Sequence, residues 1–280
     1  MPKGLEPDNE SGLESNSVNE IKSLRETNDA YIRLFSRVNK QKNSIKFTDN
    51  ELPEMYDHNF YRVLKIPAVQ SDFEGLIYYF IKEGHTNLSK HLQLIFSPSL
   101  SLNKSYLNFL EKEKFSVSKM LYMSAPIDIC EPMKRNNEVN IYVARTKADL
   151  NKFLAFDIMI NKYIMGEAFA SARAERRAKT YEDESKPLDV YICSLNGMVI
   201  GSCDFFLHEE ILKLEDFQVA DSFQRRGFGT TIFKTLMEIA RKKGAKAVFV
   251  NTEASDTSQE MYRKIGLCDV GFEYRALLLP

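Results

Sequence analysis

Residues 219–230 read Val-Ala-Asp-Ser-Phe-Gln-Arg-Arg-Gly-Phe-Gly-Thr. They follow a run that is predicted as a strand (residues 211–219) and precede an amphipathic run that is predicted as a helix (residues 229–243). The first turn of a helix leaves its backbone N–H groups unpaired and carries the positive end of the macrodipole. Gly227 and Gly229 lack a Cβ, so a bulky anion can approach these N–H groups closely. The stretch therefore predicts a site for a ligand that carries phosphates.

Two common phosphate-binding motifs do not fit this turn. A P-loop needs a lysine after its last glycine, but Gly229 is followed directly by Thr230. A dinucleotide fingerprint needs a third glycine, and Ile232 occupies that position. Nucleotide hydrolysis and NAD binding are therefore disfavoured.

The turn fits a shorter pattern, Gln/Arg-x-x-Gly-x-Gly/Ala, through Gln224, Gly227 and Gly229. On these residues the segment resembles the GCN5-related N-acetyltransferases (GNATs), in which the corresponding turn holds the pyrophosphate of acetyl-CoA. The alternative is a tight strand-to-helix turn with ordinary glycines. The resemblance implies acetyl-CoA as co-substrate, no metal, and an amine acceptor, either a small molecule or a protein.

The predicted elements from residue 140 onward follow the order of that family, β-α-α-β-β-β-α-β-α-β. Asn196-Gly197, between two alternating runs, predicts a hairpin. The resemblance implies an α/β (α+β) fold with a mixed, mostly antiparallel acyl-CoA N-acyltransferase sheet flanked by helices. The predicted strands are 141–145, 188–195, 199–207, 211–219, 247–252 and 267–279. The predicted helices are 147–156, 165–179, 229–243 and 256–265.

The first half of the chain repeats part of this order, which suggests a tandem duplication. Its predicted helices are 21–38, 71–83 and 102–112, and its predicted strands are 92–96 and 116–124. We expect a disordered tail at 1–20, a degenerate GNAT-like domain at 21–135 and a GNAT acetyltransferase domain at 136–280. The alternative for the first half is an unrelated α/β domain.

The N-terminal copy lacks the features of a phosphate turn. Residues 65–75 have no paired glycines, and Asp72 and Glu74 would repel a pyrophosphate. We expect this half to serve packing, substrate shaping or contacts in a possible homodimer. Its polar and aromatic cluster at residues 55–59 includes His58, which we interpret as a structural hydrogen-bonding residue.

Composition excludes several other classes. The formal net charge is −1 and the chain has four cysteines without a C-x-x-C pair, so neither nucleic acid, zinc nor a disulfide framework is indicated. The sequence has no apolar run long enough to span a membrane and no signal-peptide pattern. We expect a cytoplasmic protein without membrane or nucleic-acid partners.

The resemblance implies roles for residues around the turn. Backbone groups of Phe217, Gln218 and Val219 would bind the pantetheine arm, and an amide at Val219 or its neighbour would stabilise the oxyanion. Arg225 and Arg226 would add charge, unless they form only a solvated surface. The remaining predicted coenzyme A (CoA) contacts are Gln224, Gly227, Phe228, Gly229 and Thr230.

For catalysis, Tyr262 occupies the position of the family tyrosine beside the CoA sulfur and would act as the acid, unless it only packs on the sheet. The position where histone-type members keep a glutamate falls on Lys213, so we expect a water relayed by Glu215 or Asp216 to act as the base. Strand alternation predicts that Glu215 shares a face with Lys213 and Phe217. Ser255 stands where the family often has an asparagine.

Nothing in the sequence identifies the acceptor. The helix that usually forms the acceptor wall carries residues of two kinds: aromatic (Tyr163, Phe169, Tyr181) and basic (Arg173, Arg176). The arginines suggest either an acidic acceptor or a solvated helix face. Two further functions stay open, an acyl or aminoacyl transferase on the same fold and a non-catalytic acetyl-CoA-binding scaffold.

Overall fold

The computed structural model describes residues 10–85 and 91–280, which form a continuous sheet covered by helices on both faces. The strands are β1 (Arg37–Lys40), β2 (Ser44–Thr48), β3 (Phe60–Val63), β4 (Leu92–Phe96), β5 (Ser116–Pro126), β6 (Val139–Val143), β7 (Leu188–Leu195), β8 (Met198–His208), β9 (Ile211–Val219), β10 (Ala247–Glu253) and β11 (Cys268–Leu278). The helices are α1 (Glu10–Ile32), α2 (Gln70–His85), α3 (Lys104–Lys112), α4 (Lys147–Met165), α5 (Glu167–Glu182), α6 (Phe228–Lys242) and α7 (Ser258–Lys264).

The strand order is β1-β2-β3-β4-β11-β5-β10-β9-β8-β7-β6. Neighbouring strands are antiparallel except for two parallel pairs, β3 with β4 and β9 with β10. A crossover helix joins each parallel pair, α2 in the first half and α6 in the second. The prediction of a mixed, mostly antiparallel sheet flanked by helices is confirmed.

The order has two similar halves that meet between β11 and β5. Each half gives its last strand to the other: β5 pairs with β10, and β11 pairs with β4. The sheet therefore runs without a break between residues 21–135 and 136–280.

The helices divide between the two faces of the sheet. In β5, Met123 packs in the core that includes Phe233 of α6, whereas its neighbour Tyr122 packs with Leu24 of α1. This alternation follows from the two-residue period of a strand. Helices α2, α3, α6 and α7 cover one face, and α1, α4 and α5 cover the other.

Several predicted elements are confirmed with the same bounds, namely β4, β7 and β9. The predicted hairpin is also present. Asn196 and Gly197 both have the positive φ angles that its turn requires, 50° and 84°. None of the helices in residues 10–85 and 91–280 combines the length and hydropathy of a membrane span.

The N-terminal region differs from the prediction. The helix predicted for 21–38 ends at Ile32, and Val38 lies in β1, where it pairs with Phe47 of β2. Sheet pairing thus overrides the helical spacing of the apolar residues. Strands β1, β2 and β3 were not predicted. Residues 1–9 of the predicted tail lie outside the described residues, and residues 10–20 form the start of α1.

Candidate active site

A wedge opens between strands β9 and β10. They pair in parallel only at three positions, from Ala247 with Ile211 to Phe249 with Lys213. Beyond these positions β9 remains bonded to β8, and β10 remains bonded to β5. The second half of each strand therefore presents unpaired edge groups to the gap, where an extended ligand can bind to the backbone.

A β-bulge in β9 changes which side chains face the wedge. The register with β8 shifts between Ser202 and Asp204, and Asp216 takes a φ of 48°. Lys213 and Glu215 share the face of α1, but the Phe217 ring meets Phe233 of α6 at 5.8 Å between centroids. The prediction that Glu215 and Phe217 share a face was wrong because a bulge adds one residue and reverses the alternation.

The turn after β9 is held by its own side chains. The Gln224 amide donates to the backbone oxygen of Val219 at 3.0 Å and to Asp221 at 2.9 Å. Gly227 is the residue before α6, with φ 79° and ψ 0°, and no side chain caps the helix. The first N–H bonded within α6 is that of Thr231, to the oxygen of Gly227. The backbone N–H groups of the residues before Thr231, at the start of α6, are therefore available to an anion.

The other residues of the turn leave space and positive charge at this helix end. A Cβ on Gly229 would lie 3.5 Å from the Phe217 ring. Arg226 lies over the rings of Phe223 and Phe228, at 5.6 and 5.0 Å from their centroids. Neither Arg225 nor Arg226 pairs with a carboxylate among the described residues, so both guanidinium groups can meet phosphate oxygens.

Tyr262 of α7 lies beside this wedge. Its side chain is 8% exposed, packs against Phe233 at 6.0 Å between ring centroids, and lines the cleft described below. Burial raises the pKa of Tyr262 far above its usual value, and nearby negative groups including Glu215 raise it further. The raised pKa keeps the Tyr262 hydroxyl group protonated, and because none of the described residues hydrogen-bonds it, it is free to donate.

Glu215 and Asp216 sit next to each other in different electrostatic surroundings. Lys213 is fully buried and bonds to both Glu215 and Asn251. Burial raises the pKa of Glu215 despite this lysine. Burial also opposes ionisation of Asp216, but the guanidinium groups of Arg173 and Arg177 outweigh it and lower the pKa of that carboxyl. Asp216 is thus held as a charged partner of arginines, whereas the carboxyl group of Glu215, with its raised pKa, binds a proton more readily than a free glutamate does.

Comparison with known proteins agrees with this geometry. Residues 159–267 match the acetyltransferase (GNAT) family, and this segment includes the turn, the wedge and Tyr262. This segment of the chain is thus similar to GNAT acetyltransferases. The chain is also 22% identical over 224 residues to the uncharacterized N-acetyltransferase CgeE of Bacillus subtilis, covering 78% of this chain and 83% of that one.

Solved structures show that the fold likeness extends over both halves. A functionally unknown conserved protein from Staphylococcus epidermidis superimposes with a TM-score of 0.74 at 17% identity, covering 85% of this chain and 92% of that one. A tandem GNAT protein from the clavulanic acid biosynthesis pathway gives 0.55 at 7% identity, covering 88% and 83%. The predicted GNAT fold, duplicated in tandem, is confirmed.

The N-terminal GNAT-like half has no equivalent wedge. Its parallel strands β3 and β4 pair up to Val63 and Phe96, their last residues, and Ser97 continues the bonding to Val63. The Tyr106 hydroxyl donates to the oxygen of Pro67 at 2.9 Å in the loop that corresponds to the turn. A pantetheine arm would find neither a gap between these strands nor glycines in this loop.

The arginines of α5 are structural. Arg173 is 5% exposed and bonds to Asp157 and Asp216, and Arg176 is 8% exposed and bonds to Asp49 and to the oxygen of Phe35. Both interpretations of their charge were therefore wrong. These residues are neither solvated nor free for an acidic acceptor, because carboxylates from other elements neutralise them.

The remaining residues predicted for the acceptor wall separate in the structure. Phe169 lines the cleft, whereas Tyr163 is 86% exposed and Tyr181 is buried, its hydroxyl bonded to Asp204 at 2.5 Å. His58 stacks on Phe35 at 4.4 Å between ring centroids and lies 3.3 Å from Asp49. The predicted structural bond of His58 is confirmed, with Asp49 as its partner.

A cleft of about 1150 Å³ connects the wedge with the N-terminal half. Its lining includes Met55, Tyr56 and Asp57 from the predicted cluster, and Glu215, Gln218 and Tyr262 from the GNAT half. Sequence reasoning missed three acidic residues of this lining: Glu54, Glu253 and Asp256. The position of Glu253 and Asp256 at the carboxyl end of β10 was a usable signal. No described group of His, Cys, Asp and Glu side chains is arranged to hold a metal.

Proposed function

We propose that this protein is an acetyl-CoA-dependent N-acetyltransferase that transfers the acetyl group directly to an amine within a ternary complex. The observation that supports this most is the wedge between β9 and β10, which leads to a left-handed glycine before an uncapped helix. A wedge suits an extended arm, and an uncapped helix end suits a pyrophosphate. No other pair of described strands has both features.

In this proposal the donor is held largely by backbone groups. The backbone of Phe217, Gln218 and Val219 binds the pantetheine arm, and a Val219 amide donates to the thioester oxygen. The phosphate end lies on the turn, with charge from Arg225 and Arg226. Its other contacts come from Gly227, Phe228, Gly229 and Thr230. Gln224 acts indirectly, by holding the turn closed.

The transfer requires two proton movements. The amine nitrogen attacks the thioester carbonyl carbon, and the bond from that carbon to sulfur breaks. Glu215 takes the amine proton through a water, and Tyr262 gives its proton to the departing thiolate. The raised pKa of Glu215 suits its role, since a carboxylate with a raised pKa is a stronger base. The raised pKa of Tyr262 keeps its phenol protonated until the thiolate forms.

Donor binding and transfer are tested separately. Calorimetry with acetyl-CoA and CoA measures binding, and release of free thiol with a panel of amines measures transfer. We expect both. Absence of binding to any CoA species would contradict the proposal, whereas binding without thiol release would favour the non-catalytic scaffold. Transfer only from other acyl or aminoacyl donors would favour the second enzyme class. A cytoplasmic location and a homodimer stay predictions.

A further inference from the structure

The cleft has an excess of carboxylates over cations. Six acidic side chains line it, and the only arginines in its described lining are Arg173 and Arg275. The acidic residues are Glu54, Asp57, Glu215, Asp216, Glu253 and Asp256. Both arginines already form ion pairs within the protein. Arg173 pairs with Asp157 and Asp216, and Arg275 pairs with Asp57 and Glu273.

Three of these carboxylates lack a counter-charge. Glu54, Glu253 and Asp256 are exposed and form no ion pair with any described lysine, arginine or histidine. Glu54 belongs to the N-terminal half, and the other two follow the wedge in the C-terminal half. A ligand in the cleft therefore meets a negative potential to which both halves contribute.

The cleft also contains buried polar groups that have no partner among the described residues. Asn28 of α1 is 2% exposed, lines the cleft, and its amide nitrogen has no hydrogen-bond partner among the described residues. The amide oxygen of Gln218 is likewise buried and unpartnered, although its nitrogen donates to Asn161 at 3.3 Å. Buried polar groups are normally satisfied, so the Gln218 oxygen indicates a ligand group that donates a hydrogen bond, whereas the Asn28 nitrogen indicates a group that accepts one. A carbonyl oxygen such as that of Gln218 accepts from an ammonium group.

Part of the cleft lining is apolar. It includes Ile32, Met55, Met120, Met165 and Phe169, contributed by both halves. A hydrocarbon chain fits against these side chains, and cationic groups suit the acidic ones.

We propose that the acceptor is an aliphatic diamine or polyamine, whose second, protonated nitrogen is held by the carboxylates while the reacting amine faces Glu215 and Tyr262. This inference rests on the proposed acetyl transfer. It gives the N-terminal half a defined role, because Glu54, which has no counter-charge among the described residues, belongs to the acceptor site.

The test uses three compounds with the same four-carbon chain: putrescine, butylamine and γ-aminobutyrate. They place a cation, a methyl group or a carboxylate opposite the reacting amine. Thiol release at saturating acetyl-CoA gives kcat/KM, and calorimetry on the CoA-loaded protein gives affinity. We expect putrescine to exceed butylamine about tenfold, with γ-aminobutyrate lowest. Added salt should reduce the advantage of putrescine.

Variants test which residues cause the preference. Glu54→Gln and Glu253→Gln should each bring the kcat/KM for putrescine closer to the kcat/KM for butylamine. Glu51→Gln is the matched control, because Glu51 is exposed, pairs with Lys179 at 3.4 Å and does not line the cleft; it should leave the ratio unchanged.

Two kinds of failure are distinguishable. If acetyl-CoA binds but putrescine neither binds nor reacts better than butylamine, the acceptor proposal is wrong and the donor site stands. If no CoA species binds, the proposed function is wrong and the acceptor proposal falls with it.

Discussion

Gly227 shows how one residue can decide the proposed donor site. Its φ of 79° is in the left-handed region, where an L side chain is strained, and it precedes the unpaired N–H groups of α6. A Cβ there would meet no protein atom within 4 Å. The space beside it is therefore open to a ligand, so a side chain at this position would disturb binding more than packing.

We predict that Gly227→Ala reduces acetyl-CoA affinity at least about tenfold, because the Cβ would block the approach of the pyrophosphate. Gly244→Ala is the control, since Gly244 also has a positive φ, 93°, and open space around it, but lies at the other end of α6. Both changes should cost about 1 kcal/mol of folding stability. Equal affinities in calorimetry would contradict the role of the turn.

We predict that Tyr262→Phe lowers kcat while leaving acetyl-CoA affinity nearly unchanged, because the change removes only the proton donor. The pKa of Tyr262 lies above the usual 10.0, so its phenol stays protonated through neutral and mildly basic pH and should cause no loss of wild-type activity there. Tyr191→Phe is the control, a buried tyrosine of the same core that does not line the cleft. Equal kcat values for the two variants would indicate that Tyr262 only packs.

At the scale of elements, buried ion pairs hold helix α5 against the sheet. Arg177 is 3% exposed and bonds to Asp157 of α4 at 2.8 Å and to Asp204 of β8 at 2.7 Å. It also meets Asp216 at the bulge of β9, 3.1 Å away. Tyr31 of α1 donates to Asp204 at 2.8 Å. One network thus ties three helices to the strands beside the wedge.

We predict that Arg177→Met destabilises the protein by about 3–5 kcal/mol, because it leaves buried carboxylates without their counter-charge. Arg145→Met is the control, as Arg145 pairs with Asp189 at the surface and its side chain is 62% exposed; it should cost about 1 kcal/mol or less. Denaturant unfolding measures both. If Arg177→Met lowered the free energy of unfolding by a similarly small amount, the burial of Asp216 and Asp204 would not depend on Arg177.

For the whole molecule, the exchange of β5 and β11 makes the halves depend on each other. Strand β5 bonds to β10 from Ala247 with Pro126 to Glu253 with Met120, and to β11 along its other edge. Without β5, both C-terminal strands would present open edges, which favour aggregation. The β10 side of the wedge is therefore supported by the first half of the chain.

We predict that a fragment of residues 136–280 produced alone does not fold cooperatively. Co-expression with residues 1–135 should restore a folded complex that binds acetyl-CoA, and the intact chain is the control. Circular dichroism with denaturant unfolding measures folding. A fragment that unfolds cooperatively and binds acetyl-CoA alone would show that the C-terminal half is self-sufficient.

Local signals predicted much of this molecule. The periodicity of residues 188–195 and 211–219 identified β7 and β9, and Asn196-Gly197 identified the hairpin. The glycine turn led to the family. Strands β1 to β3 were missed because they are short, with weak alternation, and their pairing comes from distant partners such as β4.

By itself, the sequence determined the elements around the turn and the likeness to GNATs, because strand period, helix amphipathicity and the freedom of glycine are local properties. Only the tertiary structure decided the exchange of strands, the bulge that turns Phe217 away from Glu215, and the pairing of Arg176 with Asp49, 127 positions away. It also decided that the cleft is acidic. Charge in a site depends on which carboxylates are neutralised, and that is set by contacts between residues far apart in the chain.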